Sequence, residues 1–298
     1  MTKTAFLVVL AVAVLAVPLI AVEDPSYALS PWPYGAIAWV GGVPEDVQSL
    51  SQSLIDAVSY VFELWELPPP APMDGWEDPA SVEPAWKTGQ SGPIPQVVKK
   101  DPASGVLWRL NPLRWDGIDV YSLLYIAFPD RVLMAQAFGT LSWGGLWIGG
   151  SAAARGTEVW FQALTGVPMS IAVPAVDADL AAHHELAHWM TYLVCVRDHV
   201  RMSGLPEFII EGIARYTEAS LAGVSGWRFY AADWAETHHL SVDMDSYNSY
   251  IIGMSVVAYL VETYGPTDFL YTLSSWSRNS EFMISEVEPD WRAWLEEG

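Results

Sequence analysis

Cysteine is almost absent from this chain of 298 residues: Cys195 stands alone. One thiol excludes an intramolecular disulfide framework and any cysteine-rich metal site, and Cys195 itself reads as a buried structural thiol. Cations are scarce as well. Fourteen Lys and Arg stand against 35 Asp and Glu, a formal net charge of −21. Nucleic acid and anionic membrane surfaces are therefore not expected as partners, because both need a cationic face. Neutral or cationic substrates are compatible with that balance, whose simplest consequence is solubility. Charged residues make up only 16% and hydrophobic ones 52%, the composition of a globular chain able to bury a sizeable core. Sixteen Trp belong by default to core and interfaces.

Long apolar runs are lacking, with one exception at the start. Met1-Thr2-Lys3-Thr4 carries one positive charge, Ala5 to Val22 is nearly all apolar, and Glu23-Asp24 follows. A short positive flank, an apolar core and an acidic exit predict export. The run is long for a cleaved signal and just long enough to span a bilayer. Ala28-Leu29-Ser30 has the small-x-small form of a cleavage site. Residues 1–30 are thus a signal peptide or an N-terminal membrane anchor. The remainder is expected outside the cytoplasm, secreted or held at the outer face of the membrane.

Ala36 to Val40 reads as a short strand, and Pro44-Glu45-Asp46 as a helix start. Val47, Leu50, Leu54, Val58, Val61, Phe62 and Trp65 recur at helical spacing, and Pro68-Pro69-Pro70 ends the pattern. Residues 68 to about 100 are rich in Pro and acids without periodicity, and read as a loop or linker. The organisation expected is an N-terminal strand-helix with a Pro-rich acidic segment over 31–100, then a main domain over 101–298. Asp119–Phe128, Glu158–Leu164 and Met169–Val173 are strand candidates, and helical patterns dominate after Asp177. Strands followed by helices predict an α+β fold with a small mixed sheet, an edge strand before the first of these helices, and a mainly helical C-terminal part.

His184-Glu185-Leu186-Ala187-His188 is an HExxH pattern in a stretch without Gly or Pro that Asp177 or Asp179 can cap. Four residues turn a helix by about 400°, so the two imidazoles sit about 40° apart, one turn up the same face. One zinc ion can accept both at roughly 2.0–2.1 Å. Glu185 is turned away from ligation yet can reach a zinc-activated water as general base. His183 points about 100° away from His184 and is left to the surface or to a supporting role. A catalytic zinc needs a third protein ligand. The metzincin spacing would need Gly at 191 and His at 194, where Thr191 and Val194 stand, so that class is excluded. In the stretch from Leu205 to Tyr216, Pro206 can start a helix and Gly223 can end it. Ile209, Ile210 and Ile213 make one side apolar, so Glu211 beside them is an acid in need of a cation.

Phe208-x-x-Glu211-Gly212-Ile213-Ala214 resembles the W-x-x-E-G-x-A helix of the gluzincins, zinc peptidases with two His and one Glu as ligands. The resemblance makes Glu211 the third ligand. It follows His188 by 23 positions, a spacing similar to the peptidase MA-like proteins and longer than in aminopeptidase N or thermolysin. Arg215 stands where thermolysin has a supporting Asp. Tyr250-Ile251-Ile252-Gly253, then Tyr259-Leu260 and Tyr264-Gly265, is similar to the Y-x-x-G…L…G helix of the same families. By that resemblance Tyr250 donates to the oxyanion, with Tyr247 and the His238-His239 pair as weaker alternatives. Asp290-Trp291-Arg292-Ala293-Trp294 is similar to the end of many peptidase MA-like chains. The Gly-x-Met-Glu-Asn motif that holds a substrate N-terminus in related aminopeptidases is missing, which favours an endopeptidase.

The resemblance thus implies a zincin-like, zinc-dependent peptidase acting on peptide or protein substrates. Met169–Val173 is its expected strand for pairing with an extended substrate. The alternative is a catalytically inactive or non-peptidase binding protein on such a scaffold.

Overall fold

The computed structural model describes residues 27–41, 45, 47–71, 97–100, 107–110, 113–120, 122–138, 146–149, 169–174, 178–224 and 226–297. The apolar run Ala5–Val22 and the strand expected over Glu158–Leu164 lie outside them. Among the described residues no helix is long and apolar enough to cross a membrane.

The fold is α+β and mostly helical, built on a five-stranded mixed sheet. Strands β1 (Tyr27–Trp32) and β2 (Gly35–Val40) form a hairpin. Helix α1 (Val47–Leu64) follows and buries Leu54, Ala57, Val58, Val61 and Phe62, the face that the helical spacing predicts. β3 (Val97–Lys100) and β4 (Leu107–Leu110) pair with each other, so regular structure reaches into the segment read as linker. β5 (Leu113–Trp115) and β6 (Ile118–Val120) are joined by Asp116 and Gly117, at φ 45° and 79°. Two positive φ values are what a two-residue turn needs to match the strand twist, and Asp-Gly meets that need cheaply. The strand expected over Asp119–Phe128 is therefore divided between β6 and β7 (Leu123–Phe128).

Helix α2 (Arg131–Phe138), β8 (Leu146–Gly149) and β9 (Met169–Pro174) complete the strand-bearing part. The sheet order is β1-β2-β7-β9-β8, with β2, β7 and β9 parallel and β1 and β8 antiparallel at its two ends. This corrects the expectation for Met169–Val173, which is no edge strand: β7 pairs along one side of β9 and β8 along the other. Ile171, Ala172 and Val173 are all buried, and a continuous apolar run marks a strand covered on both faces. The terminal strand on this side of the described sheet is β8.

Helices α3 (Ala178–Arg197), α4 (Glu207–Ala222), α5 (Trp227–Ala235), α6 (Ser246–Tyr264), α7 (Pro266–Tyr271), α8 (Leu273–Arg278) and α9 (Ser280–Glu297) make up the rest. α4 starts just after Pro206 and ends at Gly223, whose φ of 63° closes the last turn. α3 packs against β9, α1 and α4. An aromatic chain runs through that contact: Tyr34 meets Trp189 at 5.9 Å, Trp189 meets Phe62 at 5.9 Å, and Phe62 meets Trp115 at 6.5 Å. Among the described residues seven Trp, including Trp65, Trp189 and Trp291, are buried, in keeping with a core role.

α4 and α6 cross in backbone contact. A Cβ on Gly212 would lie 2.5 Å from the Gly253 carbonyl, and one on Gly253 would lie 2.0 Å from the Phe208 carbonyl oxygen. No side chain fits, so both positions must be Gly at this separation. Gly253→Ala is expected to lower stability by about 1–3 kcal/mol, read as an earlier urea midpoint with unchanged slope. Cys195 is buried, and burial together with the nearby Asp198 charge pushes its thiol up to about 12. It should resist alkylation in the folded protein and react only in denaturant, as mass spectrometry would show.

Candidate metal centre

α3 supplies His184 and His188 from successive turns, and α4 supplies Glu211 from beside the Gly212 crossing. His184 Nε2 lies 3.4 Å and His188 Nε2 3.6 Å from Glu211 Oε2. One ligand atom from each of the three residues can be chosen so that all lie within 4.8 Å of one another. Ligands bonded at about 2.0–2.1 Å to a tetrahedral ion stand roughly 3.3 Å apart, so the two imidazole–carboxylate distances are close to those of a metal site. The residues are also in the wrong environment for free acids. Glu185 and His188 are each only 3% exposed; Glu185 Oε2 is buried without a hydrogen-bond partner, and Glu211 Oε2 faces the two imidazole nitrogens without a well-formed hydrogen bond to either. Buried carboxylate oxygens of this kind are stabilised by a cation.

Without an ion, the groups of the cluster shift one another strongly. Burial disfavours a charged His184, yet its contacts with Glu211 and Glu218 and the Glu185 charge outweigh this and push it up to about 9. Burial pushes His188 down to about 4, with Glu211 opposing and His184 adding to the effect. Burial pushes Glu185 up to about 8, against the pull of His184 and with the help of Glu211 and Glu218. Burial would raise Glu211 too, but the His184 hydrogen bond and both imidazoles hold it below the usual carboxylate range. A divalent ion entering here must displace the His184 proton, and its charge would draw Glu185 back toward the ionised form.

Glu218 escaped the sequence reading. Its Oε2 lies 3.4 Å from His184 Nδ1 and accepts from Arg215 Nη1 at 2.6 Å. The outer nitrogen of His184 is thereby fixed by a carboxylate that is itself fixed by a guanidinium, leaving Nε2 for Glu211 and a metal. Glu218 follows Glu211 by seven residues, two helical turns, and that periodicity was the signal available. Arg215, noted only for what it replaces, orients the supporting acid.

Tyr250, on α6, stacks on His184 with ring centroids 5.8 Å apart and planes 17° apart, and its hydroxyl lies near Glu211. Burial, with the charges of Glu211 and Glu185, pushes its phenol well above the ordinary value, so it stays a donor. The alternatives are elsewhere. Tyr247 is 64% exposed and packs on Tyr230. His238 stacks on Trp234 and His239 contacts Glu288 of α9. His183 turns its ring to Tyr60, 5.3 Å away.

Comparison of the chain with protein-family models, with curated proteins and with solved structures finds no match.

The purified protein should hold about one equivalent of zinc, read by plasma emission, and lose it on His184→Ala, His188→Ala or Glu211→Ala. Glu218→Gln should keep the site and weaken it by about 10–100-fold in chelator competition.

Proposed function

We propose that the chain is an extracytoplasmic zinc peptidase of gluzincin type, zincin-like in its catalytic part and acting as an endopeptidase. The observation that carries this reading is the meeting of His184, His188 and Glu211 at metal-ligand spacing beside a buried, unpartnered Glu185. These three residues would hold the ion. Zinc bound there supplies Lewis acidity, which polarises the scissile carbonyl and acidifies water.

Glu185 takes the proton of the attacking water and passes it to the leaving amine. Its burial serves both halves of that task, because a carboxylate in a dry site is a stronger base and releases its proton only when the amine is ready. Tyr250 donates its hydroxyl to the oxygen that gains negative charge. Glu218 and Arg215 keep His184 oriented throughout. β9 is paired on both sides, so an extended peptide has no edge of that strand to add to.

Zinc-loaded wild type should cleave casein or a peptide library, and Glu185→Ala should keep its zinc while losing cleavage. Tyr250→Phe should lower kcat by about 100–1,000-fold with KM little changed. A wild type that binds no zinc, or a Glu185→Ala variant that cleaves as well as wild type, would overturn the reading.

A further inference from the structure

The surface beside the metal centre carries a row of tyrosines. Tyr250 stacks on His184; Tyr247 lies one turn earlier on the same side of α6; and Tyr230 of α5 meets Tyr247 edge-on, 6.3 Å between centroids. Tyr250 and Tyr230 are each 37% exposed and Tyr247 is 64% exposed, so the row leads outward from the site with part of each ring open to solvent.

Its rim is acidic. Glu207, one turn before Glu211 on α4, is close enough for its charge to act on Tyr250, and the charges of Asp245, which caps α6 through the Asn248 amide, and of Asp233 on α5 act on Tyr230. The cations of these helices are engaged elsewhere. Arg215 is bonded to Glu218, and Arg228 lies 3.9 Å over the Trp294 ring and donates to the Trp294 carbonyl. α6 contains no Lys or Arg. The deeper end of the row holds Glu185, buried and with Oε2 unpartnered.

Partly exposed aromatic rings framed by carboxylates suit one side-chain chemistry. A guanidinium or ammonium gains from the ring faces and from the acids together, whereas an acidic side chain is repelled and an aliphatic one uses only the rings. We propose that Tyr250, Tyr247 and Tyr230, with Glu207, Asp233 and Asp245, form a subsite for a basic residue of the substrate close to the cleaved bond. This rests on the peptidase reading for its place in catalysis, and on the row itself for binding. The net charge of −21 would draw such substrates in over a longer range.

The test uses quenched peptides in which Arg, Leu, Phe or Glu is placed in turn at each of several positions around the cleaved bond. Cleavage by zinc-loaded wild type is compared with calorimetric binding of the same peptides to zinc-loaded Glu185→Gln. Arg at its best position should exceed Leu and Glu by about tenfold in kcat/KM and show the same order in binding. Tyr247→Ala and Glu207→Gln should each shrink that ratio. Equal treatment of Arg and Leu, or preference for Phe, overturns the subsite. Preference for Arg in binding without cleavage by the wild type supports the subsite and overturns the peptidase reading instead.

Discussion

α4 and α6 can touch backbone to backbone only because Gly212 and Gly253 face each other, and the candidate site depends on that contact. Glu211 directly precedes Gly212, and Tyr250 lies three residues before Gly253. The crossing that leaves no room for a Cβ is thus what carries Glu211 to the two histidines and the phenol to Glu211. A wider spacing between the helices would move the chemistry apart before it unfolded anything. Close-packed interiors transmit small displacements in this way.

The rest of the fold holds that pair of helices against α3. Trp65, just past α1, donates from Nε1 to Thr217 Oγ1 at 2.9 Å and so ties α1 to α4. Trp189, between the two turns of histidine and the body of α3, is packed by Tyr34 and Phe62. The C-terminal helix does the same for α5: Arg292 donates to the Ala235 and His238 carbonyls, while Trp294 stacks with Trp227. The residues Asp290 to Trp294, noted for their likeness to the end of other chains, act here as a clamp on the helix that presents Tyr230.

The electrostatics of the centre follow from its dryness. Two imidazoles and three carboxylates share a space almost closed to water, and each shifts the others. Such a cluster is costly unless its charges are balanced, and a divalent cation balances them better than protons can. The tyrosine row outside carries a second set of carboxylates, Glu207, Asp233 and Asp245, which contact with solvent keeps inexpensive.

Local pattern made much of this legible. The five residues from His184 to His188 placed two imidazoles on one helical face because helical periodicity is a property of neighbouring residues. Pro206 and Gly223 bracketed α4, and the α1 core face was readable from its spacing, for the same reason. Glu211 and Tyr250 became candidates only through resemblance to a family, since no local rule says which distant helix packs where. Tertiary structure decided the remainder. It put Tyr250 rather than Tyr247 against His184, brought Glu218 to the outer nitrogen of that ring, and paired β9 on both sides where an edge was expected. Each of these depends on contacts between residues far apart in the chain, and in a strand a run of apolar residues reports burial without naming the neighbours that cause it.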